Sequence, residues 1–127
     1  MHVMVHRFWI EKGSWQEFRR LSREGVWPPM AQLGARILGF YLAEEPEPNP
    51  EVPGACDMVW LLIAYADKAH RAATRTNSPT FAGSRALHDR LEAARRERMK
   101  LILATSDSWC AHDGSGFMPP QWPVAEA

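Results

Sequence analysis

The sequence predicts an α+β domain, and three observations carry that prediction. Four segments, residues 2–10, 36–43, 58–66 and 105–112, are rich in branched and aromatic side chains; helical periodicity follows the first and third; turn or capping residues stand at the junctions. At 127 residues the chain is one domain, able to bury about two thirds of its unfolded surface without a disulfide or metal staple. A hydrophobic content of 46% beside 24% charged residues excludes wholesale disorder. Lys and Arg number 15, as do Asp and Glu, so the basic footprint of a nucleic-acid binder is missing.

The first strand, residues 2–10, ends at Glu11-Lys12-Gly13, a turn signal. Ser14 with Glu17 three residues on predicts a capping box, and Trp15, Phe18, Leu21 and Val26 recur as the apolar face of an amphipathic helix. Trp27-Pro28-Pro29 is expected to interrupt or re-angle that helix, because proline lacks a donor and clashes with the preceding turn. Gly34 is its expected C-terminal cap. Residues 36–43 form the second strand. Residues 44–57 contain four prolines and four glutamates, which predicts a solvated hairpin loop, a lid or an arm embracing a second copy. As a solvated loop it could be shortened at little expense to the sheet.

Residues 58–66 are apolar almost without break, as in a strand buried on both faces. Asp67 caps the helical region that follows, and Ser78-Pro79 is expected to start its second part as an N-cap and first-turn proline. Leu87, Leu91, Ala94, Met99 and Leu103 carry its apolar positions, while Arg90, Arg95, Arg96, Glu97 and Arg98 are expected to form a solvated face. The last strand spans residues 105–112. The domain is thus assigned to residues 1–112, and residues 113–127, with Pro119, Pro120 and Pro123, are a tail.

This order is the split β-α-β arrangement of a ferredoxin-like sandwich. Helices cover the sheet face of His6, Phe8, Phe40, Leu61 and Ile63. Trp9, Tyr41, Met58, Trp60 and Leu62 have the opposite parity and make a second apolar face, which predicts a sheet-to-sheet homodimer. The apolar run 58–66 is too short to span a membrane, and the first residues lack a signal-peptide layout, so a cytoplasmic location without membrane association is expected. Cys56 and Cys110 lack metal or redox spacing and are expected to be packing residues.

Four stretches are similar to the NIPSNAP family of the dimeric α+β barrel superfamily. Residues 5–13 (VHRFWIEKG) resemble its first strand and turn, and residues 36–41 (RILGFY) its second strand; residues 61–67 (LLIAYAD) resemble its third strand, and residues 78–81 (SPTF) its Asp-Pro-x-Trp helix start. Lys12 stands where the family usually has proline. The resemblance implies a dimeric barrel with a pocket between sheet and helices, more than any one reaction, since fold does not decide function. Polyketide cyclases of similar appearance carry a tyrosine and a histidine on the second helical region. The comparable positions here are Arg75 and Phe81, so that pair is missing.

Among five histidines, His6 is the candidate base, placed mid-strand on the helix-facing side, against the alternative of a hydrogen-bonded core residue. His70 and His88 lie among charged residues and are expected to be exposed. Asp107 and Asp57 are the carboxylates able to line the pocket. Tyr65 could donate a proton or bind an oxygen, and Arg75 offers a planar donor fork for a carboxylate or enolate. Phe8, Phe40, Leu61, Phe81 and Trp109 would suit a flat apolar ligand. No phosphate loop, nucleophile elbow or metal cluster is legible, so neither cofactor nor metal is expected. The expected function is cofactor-independent proton transfer on an apolar, aromatic or polyketide-like molecule, of cyclase, isomerase or lyase type. The alternatives are a non-catalytic NIPSNAP-like ligand-binding or interaction protein with a pocket filled by its own side chains and, more weakly, a cofactor-free or haem-dependent monooxygenase using His70.

Overall fold

The computed structural model describes residues 1–113. The tail expected beyond them lies outside the described residues. Strand β1 (His2–Glu11) leads into helix α1 (Trp15–Arg20), a wide π-helical turn (Leu21–Val26) and α2 (Trp27–Gln32). Strands β2 (Arg36–Leu42) and β3 (Cys56–Tyr65) follow, then α3 (Lys68–Ala73), α4 (Arg85–Met99) and β4 (Ile102–Ala111). The four strands form one antiparallel sheet in the order β2-β3-β1-β4. Both split β-α-β units are present, and the ferredoxin-like α+β class expected from the sequence is the class observed. Among the described residues, no helix is long and apolar enough to cross a membrane.

Several local expectations give way to a different chemistry. The capping box does not form: the Ser14 hydroxyl donates to the Glu11 carbonyl at 2.6 Å, and Glu17 pairs with Arg20 at 2.9 Å. Pro28 and Pro29 do not interrupt the helix, because they occupy the first turn of α2, where their missing donors matter least, and the π-helical turn stands just before them. Gly34 does end α2, with φ +87° and its N–H on the Ala31 carbonyl. A Cβ there would stand 3.0 Å from His70 Nε2, so conformation and space both call for glycine.

Asp67 caps α3 as expected, its carboxylate accepting the His70 N–H at 2.7 Å. Ser78 caps only a turn, accepting the Thr80 N–H. The helix starts later, where the Ser84 hydroxyl accepts the Leu87 N–H at 3.1 Å. Strand β4 begins at Ile102, so Leu103 is a strand residue and not part of the helix; it and Met99 are exposed. His70 is half-buried rather than exposed. Its Nδ1 accepts the Ala66 N–H at 2.9 Å and its Nε2 meets the Leu33 carbonyl at 2.7 Å, tying β3 to the end of α2. His88 is also half-buried, beside Asp89 and the Thr76 carbonyl.

The core lies between the sheet and the helices, around Phe8, Ile10, Phe18, Leu61, Tyr65 and Leu91. A second, smaller cluster on the opposite sheet face corrects the picture of a bare surface there. Trp9, Met58 and Ala104 are buried, with Val52 of the β2–β3 loop packed on them. The Trp9 indole N–H donates to the Glu47 carbonyl at 2.8 Å, so the proline-rich loop, solvated along most of its length as expected, also covers part of that face. Replacing the loop by a two-residue turn should therefore destabilise the protein by about 2–4 kcal/mol, since re-exposing one large apolar side chain costs about 1.5–3 kcal/mol while loop closure changes by only about 0.6 kcal/mol per doubling. Denaturant titration of the shortened chain checks this, and an unchanged midpoint would contradict it.

Asp57, at the start of β3, fixes the β1–α1 turn. It accepts the Gly13 N–H at 2.8 Å and meets Lys12 Nζ at 3.1 Å. The Gly13 N–H foremost, with Lys12, holds its carboxyl below the ordinary 3.8 against the opposing effect of burial. A group whose pKa is depressed by folding adds stability above its unfolded value and loses it as pH falls through the folded one. Asp57→Asn should accordingly destabilise the protein at pH 7 by about 1–2 kcal/mol, with the gap to the parent closing below about pH 4. Unfolding curves collected from pH 7 to pH 2.5 follow the convergence.

Candidate functional site

The register of β1 builds the site. His6 lies opposite Leu61 on β3 and Asp107 on β4, so all three side chains face the helices. His6 Nδ1 stands 2.7 Å from Asp107 Oδ1. His6 is buried, whereas the Asp107 side chain keeps 43% exposure and meets solvent at the cavity mouth. The bonded His6 ring foremost, then the charges of Arg71 and Arg75, hold the Asp107 carboxyl below the aspartate norm despite partial burial. An ionised carboxylate only accepts, so Nδ1 carries the proton and, in the neutral ring, Nε2 carries the lone pair.

A cavity of about 230 Å³ opens beside this dyad, between the sheet, α2 and α4. Its apolar wall includes Phe8, Leu61 and Ile63, and its polar wall brings together His6, Asp107, Tyr65 and Arg75, four of the five residues singled out for chemistry. Tyr65 is 2% exposed, and burial pushes its phenol above 10.0 despite the opposing effects of Arg71 and Thr74. At neutral pH it is therefore a proton-bearing donor. Asp57 is remote from the cavity, bound to the β1–α1 turn.

Three aromatic candidates lie outside the cavity lining. Phe40 packs among Trp15, Phe18 and Trp27 beneath the first helices, with ring centroids 4.7–6.1 Å away. Phe81 stands against His88, and Trp109 is held between His2 and Tyr65.

The lining residues missed by the sequence reading include two cations, Arg95 and Arg98, which do not belong to a solvated face. They continue the inward stripe Leu87, Leu91 at helical spacing, a signal present in the sequence but hidden by their charge. Burial, with the neighbouring Arg75 charge, pushes Arg95 down to about 10; burial, Arg95 and Arg75 do the same to Arg98. Arg98 is braced by the Phe8 and Phe18 rings, 5.2 and 5.5 Å from its guanidinium carbon. Among the described residues, no three His, Cys, Asp or Glu side chains converge on a metal position.

No protein-family model matches the chain, and no curated protein does. Solved structures do match over nearly the whole length. A NIPSNAP domain protein from Burkholderia xenovorans is 20% identical over 94% of this chain and 99% of its own, with a TM-score of 0.65. A NIPSNAP family protein from Agrobacterium tumefaciens is 20% identical over 93% of this chain and 100% of its own, with a TM-score of 0.64. A second NIPSNAP-like domain protein from Burkholderia xenovorans is 15% identical over 98% and 97% of the two chains, with a TM-score of 0.65. With this strand order, the near-complete overlap with all three makes the fold of this chain that of a NIPSNAP-like protein.

Proposed function

We propose that the cavity is the active site of a small cofactor-independent enzyme that moves a proton on an apolar, aromatic or polyketide-like molecule. The observation that carries this reading is the His6–Asp107 pair, 2.7 Å apart, at the edge of an unfilled cavity. His6 Nε2 takes a proton from carbon beside a substrate carbonyl, and Asp107 stabilises the imidazolium by accepting from Nδ1–H. Charge then gathers on the carbonyl oxygen, where the Tyr65 phenol donates and the Arg75 fork adds positive charge. Return of the proton to another atom completes an isomerisation; without that return, the enolate carbon attacks a second carbonyl of the same molecule, as in a cyclase, or its electron pair expels a leaving group from the neighbouring carbon, as in a lyase. Among the described residues no side chain closes the cavity, which favours this over a non-catalytic protein whose pocket is closed by its own side chains. His70 does not fit an axial haem role, because both ring nitrogens are engaged.

The reading is tested with phenylacetone in deuterium oxide, following loss of the proton signal beside the carbonyl. His6→Gln should reduce protein-dependent exchange by about 10²–10⁴-fold, and Asp107→Asn by a smaller factor, with both variants folded. Equal exchange by His6→Gln and the parent would remove the base from the scheme.

We propose in addition that the protein is a homodimer through the sheet face left beside the loop cover. Tyr41 is 57% exposed there, and Trp60 and Leu62 are half-buried. Arg7 shares that face, stacked on Trp60 and bonded to Ser106 and Ser108. Light scattering at micromolar concentration should give twice the chain mass of 14.4 kDa, and Trp60→Glu should shift it to the monomer. A monomeric parent would overturn the assembly.

A further inference from the structure

Among the described residues, the cavity carries more positive charge than its lining balances. Arg75, Arg95 and Arg98 line it, and the one carboxylate among those described lining residues, Asp107, is already bonded to His6. Glu92, a turn before Arg95 on α4, is a carboxylate outside the lining whose charge reaches Arg95. The three guanidinium groups are not equally occupied. Arg98 is braced by two phenyl rings and donates to the Ser22 hydroxyl at 3.3 Å. Arg95 reaches only the Thr74 carbonyl, at 3.5 Å, and Arg75 has no side-chain hydrogen bond or ion pair among the described residues. Guanidinium groups withdrawn from water beside one another are unfavourable unless an anion joins them.

We propose that the substrate is a small organic acid, its carboxylate held by the Arg75 and Arg95 forks and its apolar body against Phe8, Leu61 and Ile63. The proposal rests on the reading of this cavity as a proton-transfer site and adds the substrate class. A carboxylate suits a planar two-donor fork, and each fork leaves donors for the second oxygen. The volume of about 230 Å³ lies below the roughly 300–1,000 Å³ of ordinary ligand pockets, which limits the acid to about the size of one aromatic ring with a short chain. An acid bound in this way meets His6 from the side opposite Asp107, with its carboxylate next to cations that also favour the electron-rich intermediate of proton removal.

The experiment is calorimetric titration of the protein with phenylacetate, with its neutral counterpart phenylacetamide, and with inorganic phosphate. Phenylacetate should bind at least about tenfold more tightly than the amide, and more weakly as salt rises. The Arg75→Gln, Arg95→Gln double variant should lose that preference; Arg75→Gln alone, in the segment between α3 and α4, gives the same readout if the double variant does not fold. Equal affinity for acid and amide, a preference that survives these substitutions, phosphate binding as tight as phenylacetate, or no phenylacetate binding at millimolar concentration would each overturn the proposal. The two readings fail separately. Exchange of phenylacetone that depends on His6 without any preference for the acid keeps the proton-transfer site and removes the acid; arginine-dependent binding of phenylacetate with exchange indifferent to His6 does the reverse.

Discussion

The structure hangs on the placement of β1 at the centre of the sheet. Paired on both sides, it fixes the parity of β3 and β4 at once, and a slip of one residue would turn every side chain to the wrong face. With the register as it is, Met4, Phe8 and Ile10 enter the main core beneath the helices while Trp9 enters the second cluster under the loop. His6 shares the parity of Phe8. Its position opposite Asp107 is thus a consequence of the same pairing that assembles the core, so the dyad needs no special loop to align it.

The strands and the inward facing of His6 were legible because their signals are local or periodic, whereas its pairing with Asp107 depends on the register between β1 and β4, which no local signal carries. A nearly unbroken apolar run marks β3, and the parity of His6, Phe8 and Leu61 follows from counting by two along strands whose existence is clear. The capped ends were less legible. Ser14 and Ser78 have the composition of caps, yet each hydroxyl is engaged locally in a turn, and a serine five residues past Pro79 does the capping of α4. Hydroxyl residues near a helix start compete for that role, and the sequence alone does not rank them.

The arginines of α4 were misread for a different reason. Charge in a helix ordinarily marks the solvent side, and Arg90 and Arg96 obey that rule, being exposed. Arg95 and Arg98 follow Leu87 and Leu91 along one stripe, and a long aliphatic stem lets each lie against the core while its head enters the cavity. Periodicity carried the correct answer there, and residue chemistry obscured it. The loop of residues 44–57 was misread in part, and in the same sense: proline and glutamate content describes its backbone and its outer surface, whereas its function in the fold depends on Val52 and the Glu47 carbonyl, which meet the Trp9 face.

These two misreadings bear on each other. Because the loop covers Trp9 and Met58, the sheet face away from the helices is buried in part within the chain, and the described lining of the cavity lies on the helix side of the sheet. His6, Asp107, Tyr65 and the arginines meet there from β1, β4, β3, the α3–α4 segment and α4. The cluster of cations there opposes folding, as buried like charges do, and the surrounding core must supply the offset: Phe8 and Phe18 brace Arg98, and Leu87 and Leu91 anchor the helix that carries it. A core that holds groups in an unfavourable electrostatic arrangement around an unfilled cavity is what a preorganised site requires, since donors already fixed in place need no reorganisation when negative charge arrives.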